Sequence, residues 1–191
     1  MHLSSKTHPS NPLSLTLPEL CDHIVTEHHD FVRREGPAIL EQAQRLPEPR
    51  PLALTRIKVL FEKVVEELGP HQFKEEQVLF PLCKRLALAE EPFAAHCGSV
   101  QNPIRVMTQE HRRSAHDLHL LEGLAQQYLA AAQNTDDQAT SANPRWVQRI
   151  LRFCDNLRIH MALENEVLFP LALARETALS ESEGAVLPQR D

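Results

Sequence analysis

Two stretches of this chain place a glutamate four residues after a histidine: His71-x-x-x-Glu75 and His160-x-x-x-Glu164. Each runs on into the same four residues, Val78-Leu79-Phe80-Pro81 and Val167-Leu168-Phe169-Pro170. On a helix, residues four apart lie one turn from each other on one face. Val78 and Leu79 extend the face of the first pair, and Val167 and Leu168 that of the second. An imidazole and a carboxylate pointing where apolar residues point are costly to bury unless something compensates them. Metal ligation would do so. Imidazole suits Fe, Zn, Cu and Ni, and a bridging carboxylate favours hard, higher-coordinate ions. One such pair alone is more often a surface ion pair than a site; two copies on apolar stripes point to a metal.

Two more histidines sit in acidic surroundings: His29 within Glu27-His28-His29-Asp30, and His111 after Glu110. Each lies on a helical stripe of its own, which completes a set of His29, His71, His111, His160, Glu75 and Glu164. A structural zinc needs only four ligands and usually takes thiolates. Four imidazoles with two carboxylates, each able to give one oxygen to each of two ions, point instead to a binuclear centre. Iron is the first choice, manganese the second, and zinc follows. Of the nearby residues, His28 points about 100° away from His29 on an ideal helix, toward solvent or a supporting role. His23 is off the stripe, His116 and His119 read as core edge or surface, and Glu76 should point sideways. The two Val-Leu-Phe-Pro pieces read as core followed by a helix stop.

Four elements must position these residues. Residues 1–16 read as a flexible leader. A first helix is expected from near Leu17 to about Arg45, with Asp22, Val25, Val32, Leu40 and Ala43 on the face of His29 and a kink or break at Gly36-Pro37. Pro47-Glu48-Pro49-Arg50-Pro51 is a linker. A second helix spans about Leu52 to Ala89, its stripe being Ile57, Leu60, Val64, Leu68, His71, Glu75, Val78, Leu79 and Leu82, with interruptions at Gly69-Pro70 and Pro81. Residues 90–99 form a loop. A third helix runs from about Pro103 to Gln133 through Ile104, Met107, His111, Leu118, Leu121 and Ala125. Residues 134–143 are polar and without period. A fourth helix starts at Pro144 and carries Trp146, Ile150, Phe153, Leu157, His160, Glu164, Val167, Leu168 and Leu171, and residues 176–191 read as a flexible tail. The expected fold is therefore all-α: an up-down-up-down four-helix bundle over residues 17–175, built from two helix pairs related by a pseudo-twofold axis.

Composition narrows the function. A chain of 191 residues is most simply one domain with a real core. A net charge of −6 with no basic patch excludes nucleic acid as a partner. The apolar runs are too short to span a bilayer, and the N-terminal residues lack the apolar core of a secretory signal, so the expected location is cytoplasmic, with no membrane partner. Cys21, Cys83, Cys97 and Cys154 are scattered without a C-x-x-C, as free thiols in a reducing compartment would be.

The ordered pieces Glu19-Leu-Cys-Asp-His23 with His29-Asp30, His71 to Pro81, Pro103 to His111 and His160 to Pro170 resemble the haemerythrin-like (HHE) family, and within it the di-iron proteins for repair of iron–sulfur centres. The resemblance implies a haemerythrin-like bundle with His29, His71, His111 and His160 as terminal iron ligands and Glu75 and Glu164 as bridging carboxylates. It also implies a fifth histidine ligand, whose place falls near Arg50 where this sequence has none, and a small N-terminal domain with a cysteine pair, which the short leader does not supply. The implied function is a non-haem di-iron protein of the nitrosative and oxidative stress response. It would take NO or O2 as small ligands, and damaged iron–sulfur proteins would be its partners. It would help repair iron–sulfur centres by donating iron or by binding or reducing NO. A haemerythrin-like sensor or carrier of O2 or NO, or an iron buffer, is the alternative of a different class. A degenerate bundle that scaffolds partners is a third.

Overall fold

The computed structural model describes residues 12–46, 48, 51–132 and 142–184. After a 3-10 turn at Pro12–Ser14, four long helices follow. We number them α1 to α4. Helix α1 comprises three contiguous segments, Leu17–His23, Ile24–His29 and Asp30–Gln44. Helix α2 comprises Leu52–Lys74, Glu75–Leu79 and Phe80–Leu88. Helix α3 is the unbroken Gln101–Ala132. Helix α4 comprises Ala142–Leu163, Glu164–Leu168 and Phe169–Gly184. The start of α1 packs on the end of α2, and the end of α1 on the start of α2, so the two are antiparallel; α3 packs on α2, and α4 on α3 and α1. This is the expected up-down-up-down bundle, and no strand occurs among the described residues.

The amphipathic stripes meet in two separate apolar clusters. One holds Ile39, Ile57, Phe61, Leu118, Leu121, Trp146, Ile150 and Phe153; the other holds Leu20, Ile24, Leu79, Phe80, Met107, Leu168, Phe169 and Ala172. Along every helix the candidate ligands fall between the two clusters, with His71 and Glu75, for example, lying between Leu68 and Leu79. The bundle is thus apolar, then polar, then apolar along its axis. Trp146 anchors one end by donating its indole N–H to the Ile39 carbonyl at 2.9 Å. A Cβ on Gly36 would meet Val65 Cγ1 at 3.2 Å, so glycine there lets α1 and α2 approach closely.

The segments Ile24–His29, Glu75–Leu79 and Glu164–Leu168 are π-helical. In each, the closing N–H reaches back five residues: Asp30 to the Val25 carbonyl, Phe80 to that of Glu75, and Phe169 to that of Glu164. A π turn holds one more residue than an α turn and shifts the register beyond it. Hence Ile24 is buried in α1, while Asp22 is exposed and Val25 only half-buried, contrary to the stripe expected from regular spacing; beyond His29 the helix is regular, and there Ile39 is buried and Leu40 half-buried. Likewise Leu79 and Leu168 are fully buried, whereas Val78 is 45% exposed and Leu171 41%.

Neither Pro37 nor Pro70 breaks its helix, and neither Pro81 nor Pro170 stops one. All four prolines are exposed, so the carbonyl each deprives of a partner lies on the solvent side. For Pro81 and Pro170, the wide π turn just before the ring also relieves its clash with the preceding turn. The tail expected from 176 is also corrected, because α4 continues to Gly184 with Leu179 buried. Arg175 donates to the Leu86 and Ala89 carbonyls at the end of α2. Glu176 accepts from the Ser99 hydroxyl at 2.6 Å and the Val100 N–H at 2.8 Å, capping the start of α3. Residues 1–11, 133–141 and 185–191, with the leader and tail expected there, lie outside the described residues.

Phe153 is fully buried, edge-on to Phe61 at 5.1 Å between ring centres. Replacing it with alanine should cost about 3–5 kcal/mol in denaturant unfolding of the metal-free chain, by lost transfer energy plus a residual cavity.

Candidate metal centre

Every ligand predicted from the sequence arrives in one layer. His29 comes from α1, His71 and Glu75 from α2, His111 from α3, and His160 and Glu164 from α4. His29, Glu75, His160 and Glu164 have no exposed surface, and His71 and His111 are nearly buried. All four histidines turn Nε2 inward, in two pairs. His29 and His160 approach to 3.2 Å, as do His71 and His111.

Glu75 divides its oxygens between the pairs. Its Oε1 lies 2.9 Å from His71 Nε2 and 3.7 Å from His111 Nε2; its Oε2 lies 3.3 Å from His29 Nε2 and 3.9 Å from His160 Nε2. Glu164 Oε2 sits 3.1 Å from His111 Nε2 and 3.2 Å from His160 Nε2. Two groups of four can therefore each surround an ion: His29, His160, Glu75 and Glu164, and His71, His111, Glu75 and Glu164. The ligand atoms of each group lie within 4.8 Å of one another. Both glutamates belong to both groups.

The donor set fits metal ions better than hydrogen bonds. All four oxygens of Glu75 and Glu164 are buried, yet none receives a hydrogen bond. Two buried, unpaired carboxylates are expensive, and cations between them and the imidazoles remove the cost. Without a metal, protons take that role. Burial alone would depress the His111 pKa, but Glu164 and Glu75 outweigh it and raise it to about 10. His29 and His71 are likewise raised, burial being outweighed by Glu75. Burial would raise the Glu75 pKa, but His111, His29 and His71 hold it well below the ordinary carboxylate value. The set has no thiolate, since none of the cysteines belongs to either group.

Three histidines are fixed by a partner on their other nitrogen. His29 Nδ1 donates to Glu76 at 2.7 Å, and Arg33 donates to the same oxygen at 2.6 Å. His71 Nδ1 donates to Glu110 at 2.8 Å, and Lys74 holds that carboxylate from the other side. His111 Nδ1 donates to Asn165 Oδ1 at 3.0 Å. These acceptors set the tautomer that leaves Nε2 free to ligate. His160 Nδ1 is buried without a partner.

The sequence reading missed Glu76, Glu110 and Asn165 as supporting residues. His28, expected to face solvent or to play a supporting role, takes the supporting one: it is buried and lies flat on His160 with ring centres 5.8 Å apart. Phe80 and Phe169 do more than fill the core: Phe80 stacks on His29 at 5.7 Å and Phe169 on His111 at 5.8 Å. His116 and His119 are exposed, as surface residues. Arg50, the place implied for a fifth histidine, lies outside the described residues.

Glu110→Ala should leave His71 Nδ1 without an acceptor and weaken metal binding roughly 10–100-fold in a competition titration, while His116→Ala should change nothing. Loading must also displace the protons that the carboxylates hold on His29, His71 and His111. Their raised pKa values mean more protons to displace as the pH falls, so affinity should drop toward acid pH. Calorimetric titration in buffers of different ionisation enthalpy should show net proton release to the buffer.

The family model described as Hemerythrin HHE cation binding domain matches residues 22–172. The chain is 30% identical over 166 residues to the iron-sulfur cluster repair protein YtfE of Escherichia coli (strain K12 / DH10B), covering 85% of this chain and 69% of that protein. It matches the same protein of Shigella boydii serotype 18 to the same extent. The chain belongs to the hemerythrin HHE cation-binding domain family.

Proposed function

We propose that this chain is a non-haem di-iron protein that acts in the repair of iron–sulfur centres under nitrosative and oxidative stress. The observation that carries the reading is the double sharing of Glu75 and Glu164 between two histidine pairs. A mononuclear site has no use for a carboxylate whose two oxygens face different imidazole pairs. The relatives named as iron-sulfur cluster repair proteins supply the biological direction.

His29 and His160 would hold one iron, His71 and His111 the other, and both glutamates would bridge. Bound iron would supply the redox chemistry and the affinity for NO or O2. The chain's own work is to keep four Nε2 lone pairs convergent and to exclude bulk water with the two apolar clusters. It also holds the Nδ1 protons of His29, His71 and His111 in hydrogen bonds to Glu76, Glu110 and Asn165. A groove of about 510 Å³ between α3 and α4, bordered by Ile104, Ala115, Met161 and Phe169, reaches His111 and offers a small apolar gas an approach. No helix among the described residues is long and apolar enough to cross a membrane, which is consistent with a cytoplasmic setting.

Chain produced under iron-replete conditions should carry about two irons and show an oxo-bridge absorption band. Glu75→Ala or Glu164→Ala should lower the bound iron. Loaded chain should restore activity to an NO-damaged iron–sulfur enzyme faster than iron salt alone. Zinc as the sole bound metal would overturn the redox reading. Two irons with reversible gas binding but no restoration would favour an O2 or NO carrier.

A further inference from the structure

The pseudo-twofold that exchanges the helix pairs makes testable equivalences. Glu76 follows Glu75 and Asn165 follows Glu164; Glu110 precedes His111 and His28 precedes His29. In one half, Glu110 accepts the Nδ1 proton of His71 at 2.8 Å. In the other, the residue in the equivalent place is His28, and it does not accept from His160. Its own Nδ1 turns to Asn156 Oδ1 at 3.3 Å, while its ring lies parallel to that of His160, 12° between planes. His160 Nδ1, sealed from solvent, is left without an acceptor.

The consequence is read from the hydrogen bonds that back the ligands. Each metal position has one carboxylate-backed histidine: His29 with Glu76, and His71 with Glu110. Both glutamates are common to the two positions. What remains is His111, held by Asn165, against His160, held by nothing. A ligating imidazole without an acceptor on its far nitrogen is less basic and less fixed in orientation.

Resting on the di-metal reading above, we infer that His28 makes the two positions unequal: the His29–His160 position holds its ion weakly and gives it up first, while the His71–His111 position retains its own. His28 is a positioning residue. By stacking on His160 instead of accepting its proton, it sets which ion leaves.

The test uses anaerobic Fe(II) with a competing chelator. His29→Ala leaves only the His71–His111 position, and His71→Ala leaves only the His29–His160 position. The second variant should bind its single iron roughly 10–100-fold more weakly than the first. Adding His28→Glu or His28→Gln to His71→Ala, which supplies an acceptor where the twofold places Glu110, should recover roughly tenfold of that loss. Circular dichroism confirms that each variant is folded, and the glutamine version covers failure of the glutamate one. Equal or reversed single-iron affinities, or no recovery with either replacement, would overturn the inference even if wild-type chain binds two irons. Fewer than two irons in wild-type chain at saturation would overturn the di-metal reading itself.

Discussion

The structure turns on two carboxylates, Glu75 and Glu164, that are wholly buried and accept no hydrogen bond. A protein of this size cannot carry two uncompensated interior charges, and the nearest compensating groups are four imidazoles, one from each helix. The bundle geometry follows from that requirement. Four helices must bring one histidine apiece to the same level, so the stripes above and below must be apolar and continuous enough to hold the level. The two apolar clusters on either side of the polar layer meet that need and keep water from it.

Local irregularity serves the same end. The π segments begin at Glu75 and Glu164 themselves, and the one in α1 ends at His29. An extra residue in the turn re-aims the side chains after it. That brings Phe80 against His29 and Phe169 against His111, so each aromatic wall belongs to the helix partnered with the histidine it covers. Prolines that would end an isolated helix are carried on the solvent face. Even the end of α4 is recruited, with Arg175 and Glu176 closing the ends of α2 and α3.

The fold and the six inner residues were legible because their signal is local. His-x-x-x-Glu on an apolar stripe needs only helical spacing, and the repetition of His71-Glu75 in His160-Glu164 makes the pattern specific. Glu76, Glu110 and Asn165 were not legible, because each reaches a histidine on a different helix. A helical wheel shows them pointing sideways, and sideways in a tight bundle means toward a neighbour. His28 stayed open between solvent and a supporting role for a related reason: its 100° offset from His29 assumes an α turn, and it sits in a π one. Pro81 and Pro170 looked like stops because the rule for proline describes a helix without a π turn ahead of it.

The central claim is that Glu75 and Glu164 each serve two ions. Anomalous diffraction at the iron edge, from crystals grown with iron, tests it most directly. The account predicts two peaks about 3.5–4 Å apart, one between His29 and His160 and one between His71 and His111, with oxygens of both glutamates between them. A single peak, or two peaks that do not share Glu75 and Glu164, would contradict it.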